Sequence, residues 1–162
     1  MPGARMTPSA ASPRFTLDTN LLVYSVDTAA GSRHQLAIQI VHKAPEVDCW
    51  LTLQSLSEFY AVVTRKGLMP TADAAAQISD WLLVFPSITA SVTAIRAALA
   101  DAVAGRASYW DALLVATAAE AGCRLILTED LADGTTLGGC GDPQPFAAAG
   151  GLTGRARALL GL

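Results

Sequence analysis

Residues 108–120 read SYWDALLVATAAE, a stretch whose apolar spacing predicts a helix that carries one acid on its apolar side. At 100° per residue, Asp111 shares a face with Leu114 and Ala118, whereas Glu120 falls on the opposite, solvated side. A carboxylate held among apolar neighbours costs several kcal/mol unless it has a partner. The helix therefore predicts a cation, a cluster of hydrogen-bond donors or a metal next to Asp111.

A second interpretation needs no function for this acid. Ser108 is a favourable N-cap residue, and an acid three positions later is stabilised by the helix dipole. The helix alone leaves both interpretations of Asp111 open.

The composition describes one compact domain that is soluble and cytoplasmic. The 162 residues are 52% hydrophobic and 15% charged, and no apolar run is long enough to span a membrane. Cys49, Cys123 and Cys140 have no CxxC spacing, which fits a reducing compartment and buried thiols. We expect a flexible leader at residues 1–13, a domain at 14–150 and a tail at 151–162 that forms a short helix.

The order of apolar segments predicts an α/β fold with a central parallel sheet. The three predicted strands are residues 15–18, 49–53 and 123–128. The five longest predicted helices are residues 31–43, 54–66, 71–85, 91–105 and 108–120. Apolar strands that alternate with helices indicate crossover connections and a sheet covered on both faces.

Acids follow two of the predicted strands. Asp18 ends the first strand and Asp130 follows the third, so both lie at the edge where functional groups gather in parallel sheets. Each also has an alternative: Asp18 as an N-cap of the next helix, and Asp130 as a turn acid. Glu58 lies near the start of the helix after the second strand, where it could instead form a capping box with Ser55.

Together, Asp18, Glu58, Asp111 and Asp130 predict a metal site. Two unit charges about 4 Å apart repel by roughly 4 kcal/mol at an effective dielectric near 20. No arginine lies beside Asp18, Asp111 or Asp130 in sequence, and the chain has only two lysines. A hard cation resolves the repulsion, and Mg²⁺ or Mn²⁺ suits carboxylate ligands.

Four segments, in this order, resemble the PIN-domain nucleases, and in particular the VapC-like toxins of toxin–antitoxin pairs. The segments are LDTNLLVY, LSEFYAVVTRK, SYWDALLVATAAEAG and LILTEDLADG. The resemblance extends from Phe15 to about Phe146. It implies a three-layer α/β/α fold and a metal-dependent ribonuclease site.

The resemblance also implies roles for individual residues. The catalytic, metal-binding acids of the family match Asp18, Glu58, Asp111 and Asp130. Asn20, the polar residue two after the first acid, orients that carboxylate in the family, and Thr128 lies beside the fourth acid. Glu129 is an alternative to Asp130 that the sequence leaves open.

The resemblance implies an RNA substrate, a cognate antitoxin and a homodimer. The net charge of −3, from 14 acidic and 11 basic residues, at first argues against a polyanionic substrate. Without the four site acids the balance is +1, so the charge permits RNA. Arg65, Lys66 and Arg106 are candidate phosphate contacts, although each is also explained as an ordinary surface charge.

Three other functions are weighed against the toxin. The first is a PIN nuclease in RNA maturation or decay that has no antitoxin. The second is a haloacid-dehalogenase-like phosphatase, which needs an acid where this chain has Asn20 and a lysine after Lys66. The third is a non-catalytic binding domain, which does not explain why all four acids are present.

Overall fold

The structure is a computed structural model, and it describes residues 12–128 and 153–162. The elements are β1 (Phe15–Leu17), α1 (Thr19–Tyr24), α2 (Ser32–Lys43), β2 (Leu51–Thr52), α3 (Leu53–Arg65), α4 (Thr71–Val84), β3 (Ser87–Ile88), α5 (Val92–Val103), α6 (Tyr109–Glu120), β4 (Leu125–Leu127) and α7 (Gly154–Leu160). Two single turns of 3₁₀ helix, Thr28–Ala30 and Ala44–Glu46, flank α2.

The strands form a central parallel sheet in the order β4, β1, β2, β3. β1 pairs with β4 in the register Phe15 to Leu125, and β2 pairs with β3 in the register Leu51 to Ser87. A parallel bridge between Phe15 and Cys49 joins the two pairs. The strands therefore end on a common edge, as the sequence predicts.

Helices cover the sheet on both faces, and β4 shows the division most clearly. Leu125 and Leu127 belong to the main hydrophobic cluster, which also contains core residues of α1 to α4. Ile126 points the other way and packs with residues of α6, because successive side chains of a strand face opposite sides. This arrangement confirms the three-layer α/β/α architecture.

The last helix, α7, is part of the main cluster. Ala156, Leu159 and Leu160 are buried there with the side chains of the sheet. The helix lies within the predicted tail. Residues 1–11, which make up most of the predicted leader, lie outside the described residues.

Three further sequence predictions concern the cysteines, the number of strands and membrane-spanning helices. Cys49 and Cys123 are buried cysteines, as predicted, whereas Cys140 lies outside the described residues. β3 was not predicted. Within residues 12–128 and 153–162, no helix combines the length and the apolar character needed to cross a bilayer.

Candidate functional site

Asp18 stands at the point where β1 passes into α1. Its backbone N–H donates to the Leu127 carbonyl at 3.0 Å, which fixes the acid beside the end of β4. One carboxylate oxygen accepts from the Thr19 N–H at 2.6 Å, so Asp18 is the N-cap of α1. The other oxygen accepts from the Thr128 hydroxyl at 2.6 Å. Capping therefore leaves the second oxygen for contacts at the sheet edge.

Glu58 projects from α3 toward the start of α1. Its Oε2 accepts from the Thr19 hydroxyl at 3.1 Å, and its Oε1 accepts from Gln54 Nε2 at 2.8 Å. Thr19 thus joins the first two acids, through its N–H to Asp18 and its hydroxyl to Glu58.

The capping-box interpretation of Glu58 is wrong. The N-cap of α3 is Thr52, whose hydroxyl accepts from the Ser55 N–H at 3.0 Å. Ser55 is a buried residue inside the helix, and its hydroxyl donates to the Leu17 carbonyl at 3.3 Å. Glu58 is too far into α3 to serve the first turn.

Asp111 lies in the first turn of α6, directly after Trp110, whose carbonyl accepts from Gln54. The Ser108 hydroxyl accepts from the Asp111 N–H at 3.2 Å and donates to Asp111 Oδ2 at 2.6 Å. The structure therefore contains the N-cap arrangement that the sequence offered as an alternative. Gln54 Nε2 also donates to the carbonyl of Trp110 at 3.0 Å, so Gln54 connects Glu58 to the residue before Asp111.

Glu58 and Asp111 are acids whose charge is not balanced by a basic side chain of the described residues. In the described ranges, neither of these two acids pairs with a lysine or arginine. The ion pairs found there lie elsewhere, between Arg14 and Asp48, Lys43 and Glu46, and Arg106 and Asp101. An all-oxygen, negatively charged donor set fits a hard divalent cation.

The described acids have the oxygen ligands that a metal needs, but three of them do not lie close enough together to hold one. Within residues 12–128 and 153–162, no three His, Cys, Asp or Glu side chains lie close enough together to hold a metal ion. Asp130 and its alternative Glu129 lie outside the described residues. The described acids line one edge of the sheet, and the donor set fits a metal by its chemistry.

The remaining sequence-predicted residues occupy different positions. Within the described ranges, both polar atoms of the Asn20 amide are buried without a hydrogen-bond partner, whereas the Thr128 hydroxyl donates to Asp18. Arg65 and Lys66 are exposed at the far end of α3. Arg106 is held by Asp101, with Nε at 2.8 Å from the carboxylate.

Sequence reasoning missed two residues that connect the acids, Thr19 and Gln54. Thr19 follows the first acid directly, so its hydroxyl was in the motif but was not given a role. Gln54 lies four residues before Glu58, the helical spacing at which an amide reaches a carboxylate. Only the contact with the Trp110 carbonyl needed the folded structure, because it joins two distant helices.

Comparison with known proteins agrees with the fold. The model of the PIN domain family matches residues 15–132. Among solved structures, Mycobacterium tuberculosis VapC20, a sarcin-ricin loop cleaving toxin, matches with a TM-score of 0.59 and 19% identity over 72% of this chain and 89% of that one. Rickettsia felis VapBC2, bound to a promoter DNA fragment, matches with a TM-score of 0.57 and 13% identity over 80% of this chain and 96% of that one.

Among curated proteins, no sequence matches this chain. At these identities the two structures show a shared fold, whereas the family model covers most of the chain. The chain belongs to the PIN domain family, whose members are nucleases.

Proposed function

We propose that this chain is a metal-dependent ribonuclease and the toxin of a toxin–antitoxin pair. The observation that carries the proposal is the run of hydrogen bonds from Asp18 through Thr19 to Glu58, and from Glu58 through Gln54 to the start of α6. It connects Asp18 to Glu58 and extends to the residue before Asp111. The likeness to VapC20, a toxin that cleaves the sarcin-ricin loop, supports RNA as the substrate.

We propose Asp18, Glu58, Asp111 and Asp130 as the residues that would hold Mg²⁺ or Mn²⁺. When bound, the metal supplies polarisation of the phosphodiester and a water of lowered pKa. The protein's own contribution is orientation. Thr128 and the Thr19 N–H fix the two oxygens of Asp18, Thr19 and Gln54 fix those of Glu58, and Ser108 fixes one oxygen of Asp111.

Basic residues would act on the RNA backbone at a distance from the acids. Arg65 lies seven residues beyond Glu58, about 10 Å along α3, so it and Lys66 would reach phosphates away from the cut. Arg106 is a third candidate, but its pairing with Asp101 must open first. We expect these contacts to add salt-dependent affinity and no chemistry.

The proposed protein partner is an antitoxin. Its support is an apolar groove of about 410 Å³ between α3 and α4, lined by Leu53, Leu56, Ser57, Tyr60, Ile78 and Leu82. The groove borders the helix that carries Glu58, so an apolar segment bound there would extend over the acids. The likeness to Rickettsia felis VapBC2, which was solved bound to a fragment of promoter DNA, further supports this proposal.

We further propose a homodimer and a cytoplasmic location. The support for the dimer is an exposed apolar stripe on α5, formed by Val92, Ile95, Leu99 and Val103. The support for the location is the pair of buried cysteines, Cys49 and Cys123, which suits a reducing compartment.

The test of catalysis is cleavage of a cellular RNA pool by the purified chain, with Mg²⁺, with Mn²⁺ and with EDTA. We expect cleavage only with metal, and a loss of at least about a hundredfold in Asp111→Asn, because losing even the partner of a metal ligand costs about 10- to 100-fold. Asn keeps an oxygen for the Ser108 hydroxyl, so the thermal unfolding of this variant should match that of the wild type. Full activity in Asp111→Asn would refute the site.

The test of the toxin role is growth. Cells that express the wild-type chain alone should stop growing, cells that express Asp111→Asn should not, and co-expression of the neighbouring reading frame should restore growth. Normal growth with an active enzyme would favour an RNA-processing nuclease without an antitoxin.

A further inference from the structure

Trp110 is a large aromatic residue that the fold leaves in solvent next to the acids. It is 60% exposed, although it belongs to the first turn of a helix whose following residues are buried. Asp111 is its immediate neighbour in the chain. The exposed ring therefore lies on the same helical turn as a residue of the proposed site and contributes little to the core.

Two contacts fix the position of Trp110, one through its backbone and one through its ring. Gln54 Nε2 donates to its carbonyl at 3.0 Å and to Glu58 Oε1 at 2.8 Å, so one side chain ties this backbone to a site acid. The ring packs edge-to-face against Tyr109, with centroids 5.1 Å apart. An exposed aromatic with a fixed backbone and a braced ring loses less entropy on binding than a free one.

The surroundings of the ring favour a flat ligand. Ser108, two residues before Trp110, is exposed and polar, and Asp111, the next residue, is charged, so polar groups lie close to the ring along the chain. Protein docking sites use wide apolar patches, whereas a single ring is enough to stack one base. RNA is read mainly where bases are unpaired and can stack on aromatic side chains.

We propose that Trp110 is a stacking platform for a nucleobase of single-stranded RNA beside the phosphodiester that is cut. This inference rests on the proposed function, because it places the base relative to the catalytic acids. It adds a base-binding subsite and makes unpaired RNA the substrate class. Trp110 is a positioning residue, since its ring would hold the strand and leave the chemistry to the acids.

The experiment measures the preference for strands that carry bases. Binding of a 12-nucleotide oligoadenylate and of an abasic ribose-phosphate strand of the same length and charge is measured with Mg²⁺. The protein carries Asp111→Asn so that the RNA stays intact. With Trp110 present, we expect the oligoadenylate to bind about fivefold to a hundredfold tighter, the range that one stacked base gives.

Variants separate stacking from other effects of the side chain. Trp110→Ala should remove most of the preference, and Trp110→Phe should keep part of it because a π face remains. Trp50→Leu is the matched control, since Trp50 lies at the opposite edge, where its backbone N–H donates to Phe15. In the protein that retains Asp111 and can cleave RNA, Trp110→Ala should raise KM more than it lowers kcat. The same substitution should leave thermal unfolding unchanged.

The outcomes distinguish this inference from the proposed function. Equal affinity for both strands, or a preference that survives Trp110→Ala, overturns the platform while wild-type cleavage still supports the nuclease. A base preference in a protein that never cleaves RNA supports the platform and overturns the nuclease. If Trp110→Ala leaves the preference intact and instead releases the enzyme from its antitoxin, the ring belongs to a protein interface and the platform is wrong.

Discussion

The hydrogen bond from the Thr128 hydroxyl to Asp18 can be tested with a substitution that removes only the hydroxyl group. The hydroxyl donates to Asp18 at 2.6 Å from a fully buried position after β4. Thr128→Val keeps the shape and removes the donor, so Asp18 should lose its fixed orientation. We expect cleavage to fall by about 10- to 100-fold, the usual loss when the partner of a metal ligand is removed.

The control for this variant is another buried threonine, Thr117 on α6. Its hydroxyl has no hydrogen-bond partner, so Thr117→Val removes an uncompensated polar group and should be neutral or slightly stabilising. Cleavage rates and urea unfolding are measured for both variants. Equal activity in the two would show that the Thr128 contact does not matter for catalysis.

Cys49 gives the protein a defined response to alkaline pH. Burial raises the pKa of the Cys49 thiol, and nearby Cys123 and Asp48 raise it further. The folded thiol keeps its proton at a pH where the unfolded thiol, with a pKa of about 8.5, loses it. The stability contribution is therefore complete below about pH 8.5 and is lost as the pH rises above that value.

The measurement is urea unfolding of the wild type and of Cys49→Ala between about pH 7.5 and 10. The free energy of unfolding of the wild type should fall more steeply, by up to about 1.4 kcal/mol per pH unit above pH 8.5. Parallel curves for the two proteins would contradict a raised thiol pKa.

At the scale of elements, Arg14 ties together the starts of three strands. It precedes β1, its Nε lies 3.2 Å from both carboxylate oxygens of Asp48 before β2, and its Nη1 donates to the Ala121 carbonyl before β4 at 2.8 Å. Its guanidinium also lies 4.0 Å from the centre of the Trp50 ring. No other side chain reaches the starts of both neighbouring strands among the hydrogen bonds of the described ranges.

Arg14→Lys tests this clamp because it keeps the charge and loses the planar fork of donors. We expect a loss of about 1–2 kcal/mol in the free energy of unfolding, the scale of one or two hydrogen bonds to charged groups after discounting for partial exposure. The site acids lie at the opposite edge, so cleavage by the folded variant should be unchanged. A stable variant with impaired cleavage would contradict this division between the two edges.

The elements also show what the sequence could predict. The long helices and apolar strands followed from local periodicity, and Ser108 and Asp18 were recognised as possible caps because their residue types suit that position. Both are caps, and Asp18 is also an acid of the proposed site, so the two interpretations of Asp18 are compatible. The strand Ser87–Ile88 was missed because two residues are too few to show alternation.

The contacts that connect the acids were harder to predict. The link from Gln54 to Trp110 spans 56 residues and depends on how α3 and α6 pack on the sheet. In the described residues, Thr128 and not Asn20 makes a side-chain hydrogen bond to Asp18. The sequence does not show which of these two polar residues makes this contact. Residue types are the basis of the proposed metal chemistry, whereas the hydrogen bonds that connect the acids depend on packing.

At the scale of the whole molecule, α5 has an unusual distribution of side chains. The small residues Ala94 and Ala98 are buried in a cluster with Leu113 of α6, whereas larger apolar residues face solvent. Among the latter, Leu99 is 50% exposed and Val103 is 88% exposed. A helix that buries its alanines and exposes its larger side chains has a second apolar face, which no element of the described residues covers.

A second copy of the chain fits this face because the stripe is self-complementary. Reversing α5 about its middle exchanges Ile95 with Leu99 and brings Val92 toward Val103, which is the pairing that a two-fold axis between antiparallel helices creates. Twelve residues of helix extend about 18 Å, so the seam is small for an interface. We therefore expect a dimer whose population depends on concentration.

The prediction is that Leu99→Glu abolishes dimerisation, because a carboxylate from each copy would enter an apolar seam opposite Ile95 of the other copy. Light scattering after size exclusion, over a wide range of concentration, should give twice the chain mass for the wild type at high concentration and a monomer for the variant. Leu83→Glu is the matched control, since Leu83 is 86% exposed on α4, outside the stripe. A monomeric wild type at every concentration, or dissociation caused equally by both substitutions, would mean that this face of α5 does not join two copies.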